Sequence, residues 1–173
     1  QQIDLIQTMN QQLVERTERD AKIDGLSDNY ELAFRMQAVA PEVLDVSQES
    51  AQTLEMYGVG DTDTGLSAVA GKCLLARRLV EAGVRFVEVG CQGSDPHTNL
   101  KKGYGDAARR NDQPIAALIA DLKQRGMLQD TLVVCSGEFG RTPDTSDKNL
   151  DGRDHNHRGF TTWLAGGGVR GGM

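Results

Sequence analysis

Carboxylates, arginines and a histidine follow a short apolar run that stops at Ser136. Side chains of these types bind metal ions or act as acids and bases when they meet in one place. The residues concerned are Glu138, Arg141, Arg153, Asp154 and His155. In open α/β sheets, ligands bind beyond the carboxyl ends of the strands. We therefore expect a reacting group or a metal ion to be held where this run ends.

A second polar group follows the apolar run VRFVEV at residues 84–89, where the next loop carries Asp95 and His97. Together with Glu138 and His155 they make a mixed oxygen and nitrogen set, typical of sites for Zn, Mn or Fe rather than of thiolate sites. Taken singly, these residues have ordinary explanations, because Asp95-Pro96 is a turn signal and Glu138 can cap backbone amides. The residues alone leave both interpretations open.

The elements that must position these residues begin with helices. Apolar residues recur at helical spacing near the N-terminus. A further helix is expected over residues 47–57, closed by Gly58, and another from Ser67 to a stop at Gly83.

Strands and helices are predicted to alternate in the remainder of the chain. The runs at residues 84–89 and 131–136 are rich in β-branched residues, and between them lies a helix with an apolar stripe that ends near Gly126. A third strand is expected at residues 160–165. Because these runs are continuously apolar, they predict a mostly parallel sheet covered by helices on both faces. The first two strand ends then open on one edge, which brings the two polar groups together.

One domain is expected over residues 1–173, truncated from a longer protein, because the chain begins without Met inside a helical stretch and ends in a glycine run. Within it, residues 1–66 are predicted to be mainly helical and residues 67–173 to form a β-α-β core with the site loops. The centre of that core is expected to contain Leu118, Ile119, Val133 and Val134.

Composition excludes some classes of protein. The net charge of -6 gives no basic surface for nucleic acid, and no apolar run approaches the length of a membrane span. The three cysteines are distant in sequence and lie in apolar surroundings, which predicts buried free thiols rather than a disulfide framework. They are Cys73, Cys91 and Cys135.

Five runs of the sequence carry a family resemblance: SGEFGRTP at residues 136–143, GRDH at 152–155, F..WLAGGGVRGG at 160–172, NYELAFRMQ at 29–37 and CLLARRLVEAGVRFVEV at 73–89. Together they resemble the bacterial domain-of-unknown-function family 1501, a sulfatase-like branch of the alkaline phosphatase superfamily. They stand in the right order and cover essentially the whole chain.

The resemblance implies an alkaline phosphatase-like three-layer α/β/α sandwich and, in active members, two divalent metal ions that activate a nucleophile. Asp95 and His97 are similar to an Asp and a His that share one metal with a later histidine, here His155. Glu138 stands where many members carry an Asp-His pair for the second metal, and Arg141 is suited to a tetrahedral oxyanion. The implied cofactor is a divalent ion (Zn, Mn or Ca), and the implied substrate is a small phosphate or sulfate ester.

Departures from the family pattern limit this hypothesis. The Asp-x-His spacing is tighter than usual, Glu138-Phe139 replaces an Asp-His pair, and the strand that would bring the nucleophile is absent. We expect the segment alone to be inactive, so the hydrolase hypothesis concerns the whole protein. The alternative is a non-catalytic binding or cell-surface protein with a degenerate site. The resemblance implies a bacterial protein and leaves export and oligomeric state open.

Two other motifs match less well. Residues 147–152 fit the opening of a calcium loop, but Arg158 stands where a bidentate Glu is needed. The glycines of residues 166–171 fit G-x-G-x-x-G after a strand, yet no helix pattern follows them. We expect a plain glycine loop there and a solvated His157.

Overall fold

The computed structural model describes residues 8, 30, 40–91, 95–137, 139–145 and 151–172. The chain divides into two compact units, residues 1–42 and residues 43–173. In the first unit, Thr8, Tyr30 and residues 40–42 are helical. The remainder of the predicted N-terminal helices lies outside the described residues. All elements below belong to the second unit.

Helix α1 spans Ala51–Tyr57 and is preceded by a 3-10 turn at Val46–Gln48. The Ser50 hydroxyl accepts a hydrogen bond from the Thr53 amide, and Gly58 closes the helix with a φ of 83°. The predicted end at Gly58 is therefore confirmed. The predicted single helix over residues 47–57 is interrupted, because Glu49 is extended and Ser50 caps a new start.

Helix α2 spans Thr64–Glu81 and begins before the predicted Ser67. The Asp63 carboxylate accepts hydrogen bonds from the first amides of the helix, which fixes this earlier start. Gly83, with a φ of 92°, follows the helix end as predicted.

Helix α3 spans Leu100–Gln124 and contains Pro114. Gly103 and Gly105 lie within its first turns, so neither glycine interrupts the helix. Its end before Gly126 agrees with the prediction.

The core of the second unit lies between the three helices α1, α2 and α3. Tyr57, Leu66, Val69, Ala70, Cys73, Leu74 and Ala117 form its buried cluster. Leu118 packs against this cluster but is only partly buried, so it lies at the edge of the core and not at its centre as predicted. Val134 is 55% exposed, so its predicted place in the centre of the core is wrong. The core is made of helices, and an apolar strand residue can face solvent when nothing covers its sheet.

Four strands are described: β1, Leu132–Ser136; β2, Gly140–Arg141; β3, His155–Asn156; β4, Thr162–Gly166. β1 pairs antiparallel with β4, with Val134 opposite Leu164. β2 pairs antiparallel with β3, with Arg141 opposite His155.

The predicted three-layer α/β/α sandwich with a mostly parallel, alkaline phosphatase-like sheet is wrong. Residues 84–89 form no strand, so the expected β-α-β unit lacks its first strand. β1 pairs instead with β4, the strand predicted at residues 160–165, and the pair is antiparallel. Composition locates apolar strands, but the partner and direction of a strand depend on distant backbone groups that a local run does not encode.

No helix within the described ranges has the length and apolar character needed to cross a membrane.

Candidate metal centre

Two loops and a short strand pair bring the predicted ligands together. Asp95 and His97 lie in the loop that precedes α3, whereas Arg141 and His155 stand opposite one another on β2 and β3. The Arg153 amide donates to the Pro96 carbonyl at 3.1 Å, which joins the loop before α3 to the segment before β3. Residues far apart in the sequence therefore share one surface.

The Asp95 carboxylate is the centre of this cluster. Its Oδ1 atom lies 2.9 Å from Nε2 of His155 and 3.2 Å from Nε2 of His97. Arg141 donates to the same oxygen through Nη1 at 2.5 Å. One ligand atom from each of Asp95, His97 and His155 lies within 4.8 Å of the other two. We call these three residues the Asp-His-His cluster.

Hydrogen bonds keep the Asp95 carboxylate charged. The bond with His155 and then the bond with Arg141 lower the pKa of Asp95 from 3.8 to about 2. The side chain is therefore deprotonated throughout the neutral range, which is the form that binds a metal ion.

A second carboxylate and an aromatic ring lie beside the histidines. Asp154 Oδ1 is 3.6 Å from Nδ1 of His97, on the side of the ring away from Asp95. The ring of Phe139 contacts that of His155 at a centroid distance of 5.6 Å. A carboxylate beside the outer nitrogen of a ligand histidine is a common feature of metal sites, because it fixes the tautomer and orientation of the ring.

The chain backbone approaches the cluster closely at Gly152. A Cβ atom at this position would lie 1.9 Å from the carbonyl carbon of His97. The Asp154 amide donates to the Thr142 hydroxyl at 3.0 Å, and the Thr142 amide returns a bond to the Asp154 carbonyl at 2.9 Å. The segment before β3 is thus held on both sides.

Four of the five predicted site residues come together in the structure: Asp95, His97, Arg141 and His155. Glu138 lies outside the described residues, as does most of the calcium-loop motif at residues 147–152. The sequence placed Asp154 in the polar group after Ser136 but gave it no specific task, and it gave Phe139 none either. Asp154 directly precedes His155, and this adjacency was the signal available for it.

The cluster is open to solvent, because each of its three residues is exposed. Two open depressions of about 410 Å³ and 420 Å³ lie elsewhere, one beside α1 and one beside the glycine turn after β4. Neither is lined by a cluster residue. Among the described residues, the site is therefore a surface group of ligands rather than an enclosed pocket.

Comparison with known proteins gives one match. A family model described as a protein of unknown function (DUF1501) matches residues 1–173. No curated protein and no solved structure matches the chain.

Proposed function

The chain belongs to the DUF1501 family, and we propose that the protein is a metal-dependent hydrolase of phosphate or sulfate esters. The observation that carries this proposal is the convergence of three ligand atoms within 4.8 Å, from residues on two separate segments. The proposal includes a sulfatase-like relationship at the level of the site residues, supported by the order of Asp95, His97 and His155 in the sequence. It does not extend to the sandwich fold.

The donor set fits a particular class of ion. Two imidazole nitrogens and one carboxylate oxygen suit Zn or Mn, whereas Ca binds almost wholly through oxygen. In a catalytic site of this kind, three protein ligands leave a position for water or substrate. We therefore propose Zn or Mn as the ion held by the Asp-His-His cluster.

The chain's own residues have defined tasks in this proposal. Asp95 supplies a negative charge that remains at neutral pH, and Asp154 lies beside the outer nitrogen of His97. When bound, a divalent ion polarises the ester and lowers the pKa of water. The exposed position of the cluster leaves it accessible to an ester from solution.

Arg141 is the residue proposed to recognise the oxyanion. Its guanidinium contacts Asp95, which places a positive charge immediately beside the metal ligands. Guanidinium groups match the tetrahedral oxyanions of phosphate and sulfate, and they remain charged at all accessible pH values. This charge favours an anionic ester over a neutral one at the same site.

Metal binding tests the site itself. Titration of the purified protein with Zn or Mn should show stoichiometric binding and a raised melting temperature. The His155→Ala variant should lose this binding, because it removes one of three ligands. His157→Ala is the matched control, since His157 is exposed on the same segment and is not in the cluster. Equal affinity in the two variants would contradict the site.

Turnover tests the activity. The full-length, metal-loaded protein should hydrolyse aryl phosphates or aryl sulfates, and the His97→Ala variant should lose this activity. The absence of both bound metal and turnover in the wild-type protein would refute the proposal.

A second candidate function is a non-catalytic binding protein with a degenerate site. Within the described ranges, one group of three metal-type ligands is found, whereas two-metal hydrolases need a second set. A protein of this kind would purify without stoichiometric metal and would turn over no ester. Metal content therefore separates the two candidates before any assay.

A further inference from the structure

The segment after α2 brings two cysteines together. Cys73 lies on α2 within the core and is 1% exposed, whereas Cys91 is exposed. Nζ of Lys72 donates to the Gly90 carbonyl at 3.0 Å, so the residue before Cys91 is tied to the residue before Cys73. Val89 packs against the same buried cluster that contains Cys73. These contacts hold the stretch before Cys91 against the part of α2 that carries Cys73.

The two thiols interact with each other and differ in access. The Cys91 and Cys73 thiols are close enough for each to act on the pKa of the other. All three cysteines are free, as predicted, but only Cys73 is buried, because Cys91 is exposed and Cys135 is partly buried. An exposed thiol in contact with a buried one gives an order of reaction, because a solute meets Cys91 first.

We propose that Cys73 and Cys91 are a redox-active dithiol that closes to a reversible disulfide when Cys91 reacts with a hydroperoxide. This inference does not rest on the proposed hydrolase function. Cys135, on β1, also acts on the pKa of Cys91, so it is the competing partner for that thiol.

The reaction balances in two steps. The Cys91 sulfur attacks one peroxide oxygen, the O–O bond breaks, and Cys91 becomes a sulfenic acid with release of one water from hydrogen peroxide. The Cys73 sulfur then attacks the Cys91 sulfur, the S–O bond breaks, and a second water leaves with the thiol proton of Cys73. The two thiols lose two electrons, and the peroxide is reduced to two waters.

Burial sets the rate of this closure. It raises the pKa of Cys73 to about 12 and also raises that of Cys91 above its usual 9. Because the thiolate is the reactive form, closure should be slow at neutral pH and faster in mild alkali. A thiol reagent should label Cys91 before Cys73 in the folded protein.

The test treats the full-length protein with hydrogen peroxide, blocks remaining thiols with iodoacetamide, and identifies disulfide-linked peptides by mass spectrometry without reduction. We expect a linked Cys73–Cys91 pair that dithiothreitol releases, with Cys135 alkylated. Cys91→Ser should abolish the linked pair, and its exposed position makes it the variant of choice over Cys73→Ser. Cys135→Ser is the matched control and should retain the pair.

Three outcomes would overturn the inference. They are over-oxidation of Cys91 to the sulfinic acid without linkage, a bond between Cys91 and Cys135, and loss of the linked pair in Cys135→Ser.

Discussion

Asp95 shows what a single residue does in this site. One of its oxygens, Oδ1, contacts His97, His155 and Arg141. A metal ion bound by the cluster would take the same histidine nitrogens that now lie against Asp95. Metal binding must therefore replace the contacts that Asp95 now makes with both rings.

Gly152 lies where the segment before β3 approaches the loop that carries His97, so a substitution there tests how close the two must be. A methyl group there would lie 1.9 Å from backbone atoms of His97, so the two loops would have to move apart. We expect Gly152→Ala to weaken Zn or Mn binding by about 10-fold or more, measured by calorimetric titration, because ligand positioning depends on such supporting contacts.

Gly171→Ala is the control for this prediction, because a Cβ atom at Gly171 meets nothing within 4 Å. It should leave the affinity unchanged. Wild-type affinity in Gly152→Ala would mean that the loops adjust without disturbing the ligands.

Among the elements, helices were more predictable than strands. The helices end at or just before three glycines with positive φ, which are Gly58, Gly83 and Gly126. Their positions in the sequence sufficed to predict these helix ends. The run at residues 84–89 has strand composition but forms no strand, because a strand needs a partner supplied from elsewhere in the chain. Local signals therefore predicted the helix ends, and the sheet could not be predicted from them.

Helix α2 offers a matched pair of glycines. A Cβ atom at Gly71 would meet nothing within 4 Å, whereas one at Gly65 would lie 2.6 Å from Arg110 Nε. We expect Gly71→Ala to raise the free energy of unfolding by roughly 0.5–1 kcal/mol, because alanine loses less backbone entropy in a helix.

Gly65→Ala should gain less or lose stability, because the Arg110 side chain must move and Arg110 contacts Asp63, the cap of α2. Urea unfolding of both variants measures the difference. An equal gain in the two would show that Arg110 moves without cost.

On the scale of the whole second unit, one buried arginine links the helices. Arg77 of α2 is 1% exposed and forms ion pairs with Glu49 before α1, Glu81 at the end of α2 and Asp121 of α3. Tyr57 of α1 donates a hydrogen bond to Asp121 at 3.0 Å, and burial raises the pKa of Tyr57. Breaking a buried ion pair leaves a charge uncompensated, so this network should favour one helix arrangement over others.

Acid should act on the second unit through Glu49. Burial favours the neutral form of Glu49, but hydrogen bonds from Arg77 and Arg78 outweigh the effect of burial and lower the pKa of Glu49 below 4.5. Arg125 also faces the Glu49 carboxylate, at 3.9 Å. Its stabilising effect is therefore complete well above pH 4.5 and is lost as the pH falls through the lowered value. We expect Glu49→Gln to cost roughly 1.5–3 kcal/mol at pH 7, with a smaller cost below pH 4.

Urea unfolding between pH 3 and 7 measures how the difference in stability between the wild-type and Glu49→Gln proteins shrinks in acid. The exposed Glu55→Gln is the control. A constant difference between the wild-type and Glu49→Gln proteins across that range would contradict a role for Glu49 ionisation.

The site residues were predicted for a reason that the fold does not support. The apolar runs of the sequence predict Asp95 and His155 at neighbouring ends of parallel strands. The structure joins them through the β2–β3 pair and the backbone contact between Arg153 and Pro96. The residue types alone indicated that Asp95 and His155 lie together, because few residue types bind metals. Their path through space could not be predicted, because it depends on pairings between distant segments.

The β1–β4 pair has a consequence for how the protein behaves at high concentration. Within the described ranges, these strands pair only with each other, and Leu132, Val134 and Leu164 are exposed. Each outer edge then carries backbone groups that can template further strands, and neither strand has a lysine or proline to prevent it. Intermolecular strand addition at the β1–β4 pair is therefore the route to aggregation that the described part of the chain exposes.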